Sequence, residues 1–183
     1  MPTIYLLLAL PVSAAALLYA RVEYRQHGRL TWKGFTLLCL MVLLPNHVLG
    51  YGMRYALPST PLEYLGYFVG LTGLVLMLMG ILAFRSLAKV CCFDTATLTD
   101  AGPYQWGRNP QYVGLILFLL GFALFDWSHW RLAPLVVQAI NLHLLVLVEE
   151  EHLRRVFGEP YIEFCRKTPR YWGWPTGAAA ARD

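Results

Sequence analysis

Five apolar stretches, each close to bilayer length, leave this chain little choice of solvent. A helix needs about 20 apolar residues to cross the hydrocarbon, with a tolerated range of about 17–25. The stretches are residues 3–20, 34–51, 62–84, 112–127 and 132–148, the last two being short. Only residues 126–131 separate those two, and Trp127 and Trp130 sit there. That reads as a tight turn with interfacial tryptophans, so the last two spans are expected to form a helical hairpin. Composition agrees, with 57% hydrophobic and 14% charged residues, against about 25% charged in an ordinary soluble domain. The expected fold is all-α, a polytopic membrane helical bundle of about five transmembrane helices in one membrane domain, residues 1–183. The first stretch lacks the positively charged n-region of a signal peptide and is read as a retained span.

The basic residues are distributed unevenly. Arg21, Arg25, Arg29 and Lys33 lie in the first connection, Arg85, Lys89 and Arg108 in the third, and Arg154, Arg155, Arg166, Lys167, Arg170 and Arg182 after the last span. Only Arg54 and Arg131 fall elsewhere. The positive-inside rule then predicts the N-terminus outside and the C-terminus in the cytoplasm, and an odd number of spans agrees. The expected location is an inner membrane, taken as bacterial. The net charge of +4 is accounted for by this bias and gives no reason to expect nucleic acid. The loop before residue 110 and the tail after residue 148 should face one compartment, where a water-soluble cofactor would meet both. Gly66, Gly70 and Gly73 in the third span have the spacing that lets helices approach closely in lipid, within the bundle or, less favoured, in a dimer. The oligomeric state is not readable. Pro11, Pro45 and Pro134 lie in apolar stretches, where neighbouring helices can satisfy freed carbonyls.

Cys39 reads as a small core residue. No cysteine pair has CxxC spacing, the vicinal Cys91 and Cys92 make a thiophilic metal only a minor reading, and the histidines show no metal-site spacing. His143 is expected to pair across helices. His47 reads as interfacial and His152 as a surface neighbour of the acids.

Two segments carry chemistry. In the first, Gly102-Pro103-Tyr104-Gln105-Trp106-Gly107-Arg108-Asn109-Pro110-Gln111-Tyr112-Val113-Gly114, Asn109 is a good N-cap and Pro110 a good first helical residue. A helix start at the interface presents N–H groups to an anion such as a carboxylate, and Arg108 adds a full charge. Gly102 and Gly107 allow unusual backbone, and Tyr104, Trp106 and Tyr112 offer aromatic faces to an adenine or a sulfonium. An interfacial cap with an aromatic belt explains the same residues equally well. The second segment starts with Glu149, Glu150 and Glu151. Successive helical residues are about 100° apart, so at least one of the three must face the bundle. Glu150 with Arg154 and Glu151 with Arg155 have i,i+4 spacing, whereas Glu149 has no such partner. An acid beside hydrocarbon is a functional candidate. The basic, aromatic tail with Arg170, Tyr171, Trp172 and Trp174 either lies on the anionic leaflet or folds over the site as a lid.

Together the segments resemble the isoprenylcysteine carboxyl methyltransferase and phospholipid methyltransferase superfamily. Gly102, Tyr104, Arg108, Asn109, Pro110, Tyr112 and Gly114 match its first half, and Glu149, Glu150, Leu153, Phe157, Gly158 and Tyr161 its second. The resemblance spans about residues 98–171. It implies a helical membrane enzyme dependent on S-adenosylmethionine, acting on a lipid or lipophilic small molecule at the cytoplasmic interface. Residues 98–183 would be the catalytic half and 1–97 would supply three spans and a loop. The implied cofactor residues are Gly102, Tyr104, Arg108, Asn109, Pro110, Tyr112, Gly114, Glu149 and Glu150. Arg108, Glu150 and Arg170 are the catalytic candidates: Glu150 to accept a proton from an amine, the arginines to orient an acidic head group. Asn109 stands where the carboxyl methyltransferases usually have histidine. An amide does not titrate near neutral pH, which counts against a histidine-base mechanism and a prenylcysteine substrate. A carboxylate, an amine or a thiol acceptor stays open. So do two other classes: a non-catalytic scaffold protein, and a nicotinamide-dependent reductase like some sterol reductases, although no GxGxxG fingerprint occurs.

Overall fold

The computed structural model describes residues 2–50, 57–84 and 98–174, with side chains from residue 7 onward. Regular structure among them is helical: α1 (Pro2–His27), α2 (Trp32–Gly50), α3 (Pro61–Ala83), α4 (Pro110–Phe125), α5 (Leu132–Phe157) and α6 (Glu159–Lys167). Short 3-10 turns cover Gly102–Gln105 and His129–Arg131. Four segments are long and apolar enough to cross a membrane, Leu7–His27, Trp32–Gly50, Pro61–Ala83 and His129–Phe157. The protein is a polytopic membrane helical bundle, as the sequence predicts. α4 is shorter, and its 16 residues reach about 24 Å, less than the roughly 30 Å of hydrocarbon. Two helices outrun their apolar stretches: α1 continues to His27, and α5 continues through the three acids to Phe157. Cys91, Cys92, Arg54, Arg85, Lys89 and Arg182 lie outside the described residues.

The tightest pairing joins α3 to α4, running antiparallel. A Cβ on Gly73 would fall 2.3 Å from the Phe118 nitrogen, and one on Gly66 2.5 Å from the Phe125 nitrogen. From the other side, a Cβ on Gly114 would meet the Met77 nitrogen at 2.3 Å and one on Gly121 the Gly70 Cα at 2.4 Å. Lipid tails give no hydrophobic reward for helix association, so close backbone approach supplies dispersion contact instead. The large side chains of α3, Leu65, Phe68, Leu71, Val75 and Leu82 among them, point outward. The glycine reading of the third span therefore holds within the bundle, and α4 brings matching glycines. α4 and α5 are joined by the expected tight turn, yet α4's closest partner is α3 rather than α5. α3 starts with a capping box, in which Thr60 Oγ1 accepts from the Glu63 nitrogen (3.3 Å) and Glu63 accepts from the Thr60 nitrogen (3.1 Å).

α5 is the central helix, touching α1, α2, α4 and α6. Near one end, Leu135 packs with Leu49, Leu119 and Ala123; near the other, Leu145 packs with Ala16, Ala20 and Met41. A polar pin crosses between them, where Asn141 Nδ2 donates to Ser13 Oγ at 2.9 Å. Arg131, off the basic end, is buried. It donates to the Leu49 carbonyl (2.5 Å) and to Asp126 (2.7 Å), tying the α4–α5 turn to the end of α2. Pro11 and Pro45 sit inside α1 and α2, while Pro134 occupies the first turn of α5, where no helical bond is lost.

Candidate active site

At the basic end, the start of α4 meets the acids of α5. Glu150 is buried, its side chain 4% exposed, and takes three guanidinium groups. Arg108 Nη2 lies 3.0 Å from Oε1, and its own side chain is only 9% exposed. Arg170 donates through Nε and Nη2 at 3.0 and 2.9 Å, a bidentate pairing. Arg154 is more distant, at 3.6 Å, in the expected i,i+4 position. Donating to the Glu150 carboxylate holds the Arg170 guanidinium pKa above its ordinary value, against the opposing effect of desolvation. Glu149 points elsewhere and accepts from the Tyr112 hydroxyl at 2.7 Å. Glu151 faces α1, where Arg21 (2.8 Å) and Arg25 (2.6 Å) join Arg155 (3.3 Å). Three consecutive acids on one helix thus serve three directions.

The tail is strapped to the segment before α4. The Arg108 nitrogen donates to the Pro169 carbonyl (3.0 Å), and the Gly173 nitrogen to the Trp106 carbonyl (2.8 Å). Gly107 is required by this crossing, because a Cβ there would fall 1.8 Å from the Tyr171 carbonyl oxygen. Trp106 stacks on Trp172 with centroids 5.8 Å apart. Asn109 holds the N-cap position and Pro110 follows as expected, but the asparagine side chain does not cap the helix. Its Nδ2 donates to the Arg170 carbonyl instead, at 3.0 Å. The tail is thus held against the segment before α4 and, through Arg170, against Glu150. His143 pairs with the Tyr171 hydroxyl, so its partner is the tail rather than another span.

A cavity of about 270 Å³ opens beside this network, between the ends of α1, α3 and α5, the start of α4, and α6. Arg108, Asn109, Tyr112, Glu149 and Glu150 line its polar side. Met77, Ile81, Phe84, Leu115, Phe157 and Phe164 form its apolar walls. Tyr104 also lines it; its hydroxyl donates to Gln111 at 2.8 Å and its ring lies edge-on to Phe84 at 5.3 Å. Tyr161, 2% exposed, closes the α6 side, and burial, with Cys165 and Glu150 adding, pushes its phenol far above the ordinary value. α6 reaches this position because Gly158, at φ 59°, turns the chain sharply after α5.

Tyr104, Arg108, Asn109, Tyr112, Glu149 and Glu150 therefore line one cavity. Arg170 belongs to the ion network behind it. Pro110 is buried at the helix start, and Gly102 opens the 3-10 turn with φ 61°. Gly114 turns toward α3, where its missing side chain admits Met77. His152 departs from its expected surface position. It is 4% exposed, stacks on Tyr24 at 4.3 Å, lines the cavity, and its Nε2 has no hydrogen-bond partner. An arginine–arginine–acid stretch hides this from periodicity; the signal that could have shown it is the i,i−3 relation to Glu149, which puts both on one face.

Residues 62–160, over half of the chain, match a family model described as phospholipid methyltransferase. The chain belongs to that family, and it is a membrane methyltransferase. The match begins at Leu62, earlier than the motif segments, and takes in all but the first residue of α3, the helix against which α4 is packed. Neither a curated protein nor a solved structure matches the chain.

Proposed function

We propose that this chain transfers the methyl group of S-adenosylmethionine to a lipid-like acceptor, and that the cavity beside Arg108, Glu149 and Glu150 receives the cofactor. One observation carries the reading: a largely covered arginine, two acids and several aromatic rings converge on one cavity at the start of a helix. S-Adenosylmethionine presents a carboxylate, an ammonium, a sulfonium and an adenine, and each finds its complement among these residues. Arg108 Nε has no protein partner, so this guanidinium has a donor to spare for a carboxylate. The aromatic walls suit adenine or the sulfonium. When bound, the cofactor supplies a methyl group already activated by its sulfonium, which leaves alignment as the main task of the protein.

The division of labour among the acids follows from their partners. Glu150 is committed to three guanidiniums and anchors Arg108 in place. Glu149 is the better carboxylate to meet a cationic group and to take the proton from an ammonium acceptor, with Tyr112 orienting it. The family's description favours the amine head group of a phospholipid over a carboxylate or a thiol. Asn109, an amide engaged with the tail, offers no base, so the proton of an amine acceptor is left to Glu149. The clustering of arginines at this end favours a cytoplasmic site and an outside N-terminus. α3, rather than residue 98, is then the natural start of the catalytic half.

Calorimetry of S-adenosylmethionine with the protein in nanodiscs tests this. Wild type should bind, while Arg108→Gln and Glu149→Gln should each weaken binding at least tenfold. Binding unchanged in both variants would exclude this cavity as the cofactor site.

A further inference from the structure

A second groove lies on the opposite side of α5. α1 and α5 run parallel, since Ser13 meets Asn141 and Arg21 meets Glu151. Those two pins are ten residues apart on α5, or about 15 Å. Between them lies an open groove of about 460 Å³ lined by Ala14, Leu17, Leu18, Leu144, Leu147 and Val148. Leu18 is 66% exposed, so the groove faces the surrounding lipid. Arg21 and Glu151 form its mouth. Three half-exposed guanidiniums, those of Arg21, Arg25 and Arg155, converge there on the single Glu151 carboxylate, which leaves an excess of positive charge.

We infer that this groove holds one anionic phospholipid, distinct from the methyl acceptor. An acyl chain lies along the apolar wall and the phosphate sits at the arginine mouth. Charge excess selects an anionic head, and the wall selects a chain-bearing molecule over free phosphate. The cavity residues Arg108, Glu149 and Glu150 are not part of this groove, so the inference stands independently of the cofactor reading. An anionic lipid here bridges α1 to α5 between their two pins.

Native mass spectrometry of the full-length protein, mixed with phosphatidylglycerol and phosphatidylcholine of matched chains, reads the site. Wild type should retain phosphatidylglycerol in preference. Each arginine near an anionic head is worth about fivefold, so Arg21→Gln with Arg25→Gln should lower retention by roughly 25-fold. Ala14→Trp fills the groove, keeps every charge, and should also lose the lipid while leaving the unfolding temperature in lipid-free detergent unchanged. Equal retention of the two lipids would overturn the proposal, as would wild-type retention by Ala14→Trp. Displacement by glycerol phosphate at the same concentration as by lipid would assign the mouth to free phosphate and overturn it too.

Discussion

The α3–α4 pair and the junction of α5 with the tail are held together by opposite means. The first uses almost no side chains: backbone meets backbone at glycines on both helices. The second is nearly all side chain, with one buried carboxylate gathering guanidiniums from the loop, from its own helix and from the tail. Lipid explains both. Without a hydrophobic drive between helices, association comes from close packing or from polar groups that hydrocarbon cannot solvate. The glycine pair makes a rigid, uncharged platform. The polar junction is assembled on it, because α4 carries Arg108 and Tyr112 to Glu150 and Glu149.

The comparison is broken most severely on the glycine side. Gly73→Ala should lower stability by about 3 kcal/mol or more, since backbone atoms 2.3 Å from the new Cβ cannot yield without separating the helices. Gly70→Ala, with its nearest atom at 3.5 Å, should be tolerated, and unfolding in mixed micelles compares the two. Next is Glu150→Gln, which leaves the buried Arg108 without its counter-charge. A loss of about 3 kcal/mol is expected, near the low end for a broken buried pair because Arg154 and Arg170 keep contact with water. Asn109→Ala removes one hydrogen bond from the tail and should cost about 1 kcal/mol, read as faster amide exchange at Gly173 and Arg108. Tyr171→Phe, on the exposed His143 pairing, should change stability by about 0.5 kcal/mol or less.

The two regions also differed in how far the sequence disclosed them. Gly66, Gly70 and Gly73 announce a packing face because helical spacing is a local property. Gly114 stands in a motif as well, and its close approach to Met77 is not legible from that motif. Glu149 and Glu150 could be marked as functional because acids beside an apolar run are costly. Apart from Arg154, four residues on from Glu150, their partners could not be read, since Arg108, Arg170 and Tyr112 are far away in the chain and nothing local pairs them. Asn109 shows the same limit: its position at the helix start was legible, whereas its bond to the Arg170 carbonyl depends on where the tail folds. His152 is buried rather than on the surface because α5 continues beyond its apolar stretch and carries the ring into the cavity against Tyr24.

The central claim is that the methyl group moves in the cavity between α4, α5 and α6. The direct measurement is transfer of labelled methyl from S-adenosylmethionine into lipid, in nanodiscs containing phosphatidylethanolamine, for wild type and for Leu153→Trp. Leu153 lines the cavity and is only half-buried, so the indole fills the space without disturbing the bundle. Wild type should label the lipid, and Leu153→Trp should lose nearly all incorporation while unfolding at the wild-type temperature. Equal incorporation by the two proteins would contradict the account.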